Sequence, residues 1–225
     1  MIPSAFQYER ASSIDDALIK LKAAAGAGKL IAGGHSLVPL MKLRLSEPTV
    51  LIDIARIQDL SGVVDRDDVV EIGALTTHHD VATSTLLREK CPALAEAAAL
   101  IGDPQVRNRG TLGGSLAHAD PAADYPAMML ALEADIHLIG PSGSRVVRAA
   151  DFFQGVLTVD LTPEEILTRV TFTPNQIAAY AKLQQRASRF ALVGVAVVLD
   201  ITEGKIRSAR VALTGAASTP QRLSR

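Results

Sequence analysis

Two glycine pairs, Gly33-Gly34 and Gly113-Gly114, constrain this chain more than any other feature. Small polar residues follow each one, in Ala32-Gly33-Gly34-His35-Ser36 and in Thr111-Leu112-Gly113-Gly114-Ser115. Adjacent glycines strip side chains from the backbone and permit positive φ, so successive N–H groups can converge on an anion. Two such segments in one chain predict a long ligand gripped along a phosphate bridge from two sides.

The first pair sits in a readable frame. Residues 14–22 predict a helix with Ala17, Leu18 and Leu21 on one face, Ser12 or Ser13 as N-cap, and Gly26 and Gly28 ending it. Residues 29–32 predict a short strand running into the glycines. Residues 36–43 then predict a helix capped by Ser36, with Pro39 in its tolerant first turn. Residues 50–54 form another apolar run, and this strand–loop–helix–strand order implies a small parallel sheet. Free amides and the positive helix end favour phosphate at such a turn, although an ordinary strand-to-helix turn looks the same. No G-x-G-x-x-G is present, which excludes the Rossmann fingerprint. Gly26-Ala27-Gly28-Lys29 follows a helix and lacks the Ser/Thr of a P-loop.

Beyond this unit the pattern changes. Residues 63–64 and 69–73 flank a charged turn and predict a hairpin, and residues 77–87 and 92–101 predict helices. A polar connection, 103–110, leads to the second glycine pair. A helix over 125–132 is expected to be capped by Asp120 or Asp124, and residues 136–139 and 145–147 predict another hairpin. From about Pro163, strands over 166–172, 178–183, 192–201 and 206–213 predict a second domain built on an antiparallel sheet. The expected fold class is α+β.

Composition narrows the function classes. The chain has 225 residues, enough for one large or two small domains, with 48% hydrophobic and 21% charged residues, as in globular proteins. A formal charge of −1 and only 4% aromatics argue against nucleic acid as a partner. The single cysteine, Cys91, excludes an internal disulfide or a Cys-ligated metal, and reads as an inert packing residue. His35, His78, His79, His118 and His137 show no H-x-x-x-H spacing, and no metal site is expected. There is no leader-like start and no charge-free apolar run of the roughly 18 residues a membrane span needs. A cytoplasmic location is expected.

Individual residues leave alternatives. Gly113-Gly114-Ser115-Leu116-Ala117 approximates a nucleophile elbow with His118 and Asp120 nearby, but the preceding strand and the triad order are missing. Asp124 reads either as an N-cap or as an acceptor for a ribose or ribityl hydroxyl. Lys182 reads by default as a solvated lysine on a strand. No residue reads as a catalytic base or nucleophile.

Taken together, the two glycine segments resemble those of the FAD-binding medium subunit of molybdenum hydroxylases. This group includes aerobic carbon monoxide dehydrogenase and the flavin domain of xanthine dehydrogenase. Ala32 to Leu37, continued by Pro39, Lys42, Leu43 and Arg44, is similar to the family's first flavin loop, and Thr111 to Asp124 to its second. Phe152-Phe153-Gln154-Gly155, Glu164-Glu165-Ile166-Leu167 and residues 182–197 extend the resemblance over almost the whole chain.

The resemblance implies an FAD-binding domain over 1–162, split into a small α/β part (about 1–55) and a larger α+β part (56–162). An incomplete C-terminal domain over 163–225 would follow, where relatives usually continue in helices; without them the 192–213 strands are expected to leave one face uncovered. FAD would lie between the first two parts. Its pyrophosphate would be held by Ile31, Ala32, Gly33, Gly34, His35, Ser36 and Leu37 and by Thr111, Leu112, Gly113, Gly114 and Ser115. Asp124 would bind the ribityl or adjacent hydroxyls, Ile101 would pack near the flavin, and Leu161 and Lys182 would approach the isoalloxazine ring. The chain would relay electrons from a small 2Fe-2S subunit to an external acceptor, while a large molybdopterin subunit oxidises the substrate. The implied assembly is a heterotrimer, single or dimerised. Two alternatives are a self-contained FAD reductase or oxidase, and a truncated non-catalytic assembly subunit.

Overall fold

The computed structural model describes residues 2–175 and 177–223; Met1 and the Ser224-Arg225 end of the terminal run lie outside them. The first sheet is parallel, with β1 (Gln7–Arg10), β2 (Gly28–Ile31) and β3 (Val50–Asp53) in the order β1-β3-β2. Helix α1 (Ile14–Ala23) precedes β2, and α2 (Leu37–Lys42) links β2 to β3. The Ser13 hydroxyl accepts from Asp16 N–H at the start of α1, with Asp15 and Asp16 in the first turn and Lys20 and Lys22 in the last. That charge order complements the helix dipole. Ala17 and Leu21 of α1 are buried in a core cluster with Ile52 of β3.

Two details differ from the sequence reading. Gly28 opens β2 rather than ending α1; the chain reverses at Ala25 (φ 47°) and Gly26 (φ 84°). Strand β1 carries no apolar run, because it is an edge strand with largely exposed side chains.

The second sheet contains β4 (Val63–Arg66), β5 (Val69–Gly73), β6 (Asp135–Gly140) and β7 (Gly143–Arg148), paired as the two expected hairpins. Helix α3 (His78–Thr83) and α4 (Thr85–Lys90) replace the single helix expected over 77–87. Ser84 leaves helical geometry at ψ 118°, and its hydroxyl accepts from Leu87 N–H to restart the chain. Threonine and serine flank this break, and such side chains compete with the helical backbone for hydrogen bonds. Helices α5 (Pro92–Ala99), α6 (Pro104–Arg107), α7 (Leu112–His118) and α8 (Tyr125–Ala131) follow, then α9 (Ala149–Phe152) and a small hairpin of β8 (Phe153–Gly155) and β9 (Thr158–Val159).

Strand β10 (Ile166–Phe172), expected to open the C-terminal domain, instead occupies the middle of the second sheet. The order is β4-β5-β10-β6-β7, with β10 antiparallel to both neighbours. Its nearly continuous burial is what a central strand requires. Pairing at this range is non-local, so proximity in sequence to the later strands misled.

The third sheet is wholly antiparallel: β11 (Ala178–Gln184), β12 (Ala191–Thr202), β13 (Lys205–Thr214) and β14 (Gln221–Arg222). One face packs on α5 and α8, placing Tyr180, Ala196, Val198 and Ala212 in the same core cluster as Val70, Ile72 and Ile136 of the second sheet. The other face carries rows such as Ala181–Val195–Leu213 and Ala179–Val197–Val211, with Leu183 and Leu192 more than half exposed. Among the described residues, no helix is long and apolar enough to cross a membrane.

Candidate functional site

The first glycine segment leaves β2 at Ile31 and enters α2 at Leu37. Gly34 has φ +77°, a conformation L side chains rarely adopt, and Ile31 and Val38 side chains pack where its Cβ would project. Among the described residues, the N–H groups of Gly33, Gly34, His35, Ser36 and Leu37 have no protein acceptor. Ser36 stands at the N-cap position of α2 but is itself helical (φ −99°, ψ −49°), and its side chain makes no cap bond. The expected Ser36 cap is therefore corrected; its hydroxyl faces no backbone amide of its own helix. Ile31, Ala32 and the glycines are half-buried and His35 is exposed, so this run of donors lies at the protein surface.

The second segment uses its glycines differently. Thr111 caps α7, its hydroxyl accepting from Gly114 N–H at 3.1 Å. Leu112 N–H donates to Thr76 O (3.0 Å), Gly113 N–H to Ala74 O (2.8 Å) and Ser115 N–H to Thr111 O (3.0 Å). The amides of residues 112–115 are thus all engaged within the protein, which corrects the picture of two equivalent amide cradles. What Gly113 allows is close packing: a Cβ there would lie 2.5 Å from the Ala74 Cβ. This segment can offer a ligand the half-buried Ser115 hydroxyl and the exposed, side-chain-free surface at Gly114.

Tertiary structure brings the two segments together. A Cβ on Gly33 would overlap the carbonyl oxygen of Arg109 and stand 2.9 Å from Gly110 Cα. The first loop therefore rests on the backbone that leads into the second. That strap is held from within by His78, whose N–H donates to Gly110 O (2.9 Å) beside the Thr77–Thr111 bridge. The His78 ring is only 5% exposed. Its Nδ1 lies 3.2 Å from the Tyr125 hydroxyl, and burial lowers its pKa to about 4, with the nearby His35 and Arg107 charges acting in the same direction. His79, its neighbour in sequence, faces solvent.

Asp124 and Lys182 come together, away from open solvent. Asp124 occupies the residue before α8 but makes no cap bond. Its carboxylate, 4% exposed, instead accepts from Tyr180 Oη (2.6 Å) and pairs with Lys182 Nζ (2.9 Å). Burial pushes the Asp124 carboxyl up from its ordinary value, opposed by these two partners. The default reading of Lys182 as solvated is overturned: its side chain is 1% exposed, and Nζ also donates to Arg189 O (2.7 Å). Gly194, opposite Lys182 on β12, lacks the Cβ that would overlap the Tyr180 hydroxyl. The expected cap is thus replaced by a cross-domain tie. Thr214 strengthens it, its one hydroxyl proton shared between Pro121 O (2.8 Å) and Ala123 O (2.7 Å).

Ile101 and Leu161 are half-buried against the main core. Arg107 donates to Ile101 O (3.0 Å) and Gly102 O (2.9 Å), and Arg189 to Gly102 O (3.2 Å). Leu161 follows β9, which packs against α7. Arg145 of β7 clamps its segment by bonding Asp160 (2.9 Å) and Glu165 (2.6 Å), holding the Glu165 carboxyl down to about 2. Ser115, His118 and Asp120 make no hydrogen bonds with one another among the described residues, so no hydrolase triad forms; Asp120 instead accepts from Ala122 N–H. A separate groove of about 380 Å³, bordered by Glu133, Asp135, Asp200 and Arg210, includes no residue of either glycine segment.

The sequence reading missed His78, Tyr180, Thr214 and the Arg109-Gly110 strap. Only the odd placement of two adjacent histidines after an apolar strand signalled any of them.

Among the described residues, five amides without a protein acceptor lie at this strand-to-helix turn, against the Arg109-Gly110 backbone that leads into the second glycine segment. Converging amides of this kind suit an anion. Residues 4–175 match the family described as FAD binding domain in molybdopterin dehydrogenase, and residues 178–225 that of the CO dehydrogenase flavoprotein C-terminal domain. The chain belongs to this family of FAD-binding medium chains. It is 42% identical to the carbon monoxide dehydrogenase medium chain of Hydrogenophaga pseudoflava, over 99% of its own length and 78% of that protein's. Identity to the glyceraldehyde dehydrogenase medium chain of Sulfolobus acidocaldarius is 39%, over 99% and 79%. The fold superposes on carbon monoxide dehydrogenase from Hydrogenophaga pseudoflava with a TM-score of 0.95, covering 99% of this chain and 78% of that one. For quinoline 2-oxidoreductase from Pseudomonas putida 86 the TM-score is 0.93 at 33% identity, again over 99% and 78%.

Proposed function

We propose that this chain is the FAD-binding, electron-relaying subunit of a molybdenum hydroxylase. It works in the cytoplasm with a large molybdopterin subunit and a small 2Fe-2S subunit, and delivers electrons to an external acceptor. The observation that carries the reading is the run of five acceptor-free amides from Gly33 to Leu37, on a family-wide FAD-binding domain. An anionic pyrophosphate satisfies those donors, and the Ser36 hydroxyl, free of a capping bond, adds a sixth. The second segment contributes shape more than donors: Gly113 lets α7 seat against Ala74, Gly114 keeps its surface bare, and Ser115 supplies a hydroxyl. When bound, the flavin supplies the redox chemistry.

The remaining residues set the flavin's surroundings. Ile101 and Leu161 present apolar flanks. Asp124 and Lys182 act as a buried pair, so their influence on the ring runs through the field and placement of that pair.

Titration of the purified chain with FAD, followed by fluorescence quenching and by absorbance near ~450 nm, tests the reading. A tight yellow complex that Gly34→Val abolishes is expected. A colourless protein that refuses added FAD overturns it. Oxidation of an organic substrate by the isolated chain, without partner subunits, overturns its assignment as a relay.

A further inference from the structure

The connection between the two glycine segments carries an inference that rests on the FAD reading above. Gly110 touches the first loop at its Cα, where Gly33 lies against it, and touches His78 where a side chain would project. A Cβ on Gly110 would stand 2.5 Å from His78 Nε2 and 2.8 Å from His78 Cδ2, but 3.2 Å from its next neighbour, Val106 O. Gly110 has no positive φ, and among its nearest neighbours only the imidazole comes under 3.0 Å; Val106 O, at 3.2 Å, would have to give by a few tenths of an ångström. The ring's other edge meets the hydroxyl of Tyr125, the residue after Asp124, with ring centroids 5.3 Å apart. Tyr125 is fully buried, so the ring is backed by packed core and cannot retreat.

We infer that His78 is a positioning residue for FAD. Its imidazole is a rigid spacer between Tyr125 and Gly110, and it sets the height of the Arg109-Gly110 strap on which the first loop's amides rest. The ring is neutral at physiological pH, because burial disfavours its charged form. It therefore fixes a distance and adds no charge to the site. The same spacer touches the helix start that carries Asp124, so three site segments take their relative placement from one side chain.

The test is a compensation experiment on the full chain, reading the FAD dissociation constant with the thermal midpoint of flavin-free protein alongside. His78→Asn keeps a polar atom near the Tyr125 hydroxyl and removes the edge beneath Gly110. It is expected to weaken FAD binding about tenfold. Gly110→Ala in the native background is expected to weaken binding by about tenfold or more, and in the His78→Asn background by no more than about twofold. His78→Gln restores atoms near the Nε2 position. It should bind FAD nearly as the native chain does and leave Gly110→Ala as damaging as before, and it carries the test if His78→Asn does not fold. A purely structural role would shift thermal midpoints without this crossing of affinities. Equal loss from Gly110→Ala in every background, or native affinity in His78→Asn, overturns the inference and leaves the FAD reading intact. A native chain that takes up no FAD overturns both.

Discussion

The two glycine segments have nearly the same letters and opposite economies of hydrogen bonding. From Gly33 to Leu37 five consecutive amides have no protein acceptor among the described residues, whereas after Gly110 the amides of residues 112–115 are all consumed by Ala74, Thr76 and Thr111. Glycine serves the first segment by its left-handed freedom at Gly34, and the second by its lack of bulk at Gly113, against Ala74. A glycine pair thus signals either available donors or close approach, and only its surroundings decide which.

Substitutions can break that contrast, and the largest effect is expected in the first segment. Gly34→Val places a branched side chain at φ +77° and against Ile31 and Val38. FAD affinity should fall on the order of a hundredfold or more, as read by fluorescence titration. An equally large loss from Gly114→Val, with no loss here, would reverse the roles of the segments.

Next in size is the pH dependence of the strap. His78 is held neutral in the fold, with a pKa of about 4 against 6.5 when free. Between those values the unfolded chain binds more protons than the folded one. The stabilisation from a neutral His78 is therefore complete above about pH 6.5 and is lost as pH falls towards 4. Its ceiling is roughly 3 kcal/mol. Urea unfolding across this range should show a slope that His78→Asn flattens.

Gly113→Ala sharpens the comparison from the other side. Overpacking against Ala74 should cost roughly 1–3 kcal/mol of stability, while the folded fraction retains most of its FAD affinity because the Gly113 amide already serves Ala74 O. Thermal melts with and without FAD separate the two quantities.

The smallest effects belong to the two hydroxyls. Thr111→Val removes a true cap and should cost about 1 kcal/mol, whereas Ser36→Ala should leave flavin-free stability within about 0.5 kcal/mol. A Ser36→Ala loss as large as that of Thr111→Val would mean that Ser36 caps α2 after all.

Much of the architecture was legible because its signals are local. The α1 periodicity with Ser13 before it, the apolar runs of β2 and β3, and the charged or glycine-bearing turns of the hairpins each specify backbone within a few residues. Both glycine segments were readable as well, and the structure lays the first against the backbone that leads into the second. What escaped has non-local causes. Strand β10 looks like any apolar strand, and nothing in its own residues says that β5 and β6 will flank it. Ser84 was hidden inside a plausible helix. Asp124 before an apolar helix has the letters of a cap, but Tyr180 and Lys182 arrive from more than fifty residues away to claim its carboxylate.

By itself, the sequence determined where the chain can turn sharply, which strand runs into a donor-rich loop, and which family the pattern belongs to. These follow from the φ/ψ limits of single residues and from short-range periodicity. Tertiary structure alone decided which amides stay unpaired, that Gly33 rests on Gly110 above a buried imidazole, and that Lys182 is an interior cation rather than a surface one. A donor is free only if no distant carbonyl reaches it, and a charge is buried only if a distant partner compensates it. Both conditions are set by residues the local sequence does not contain.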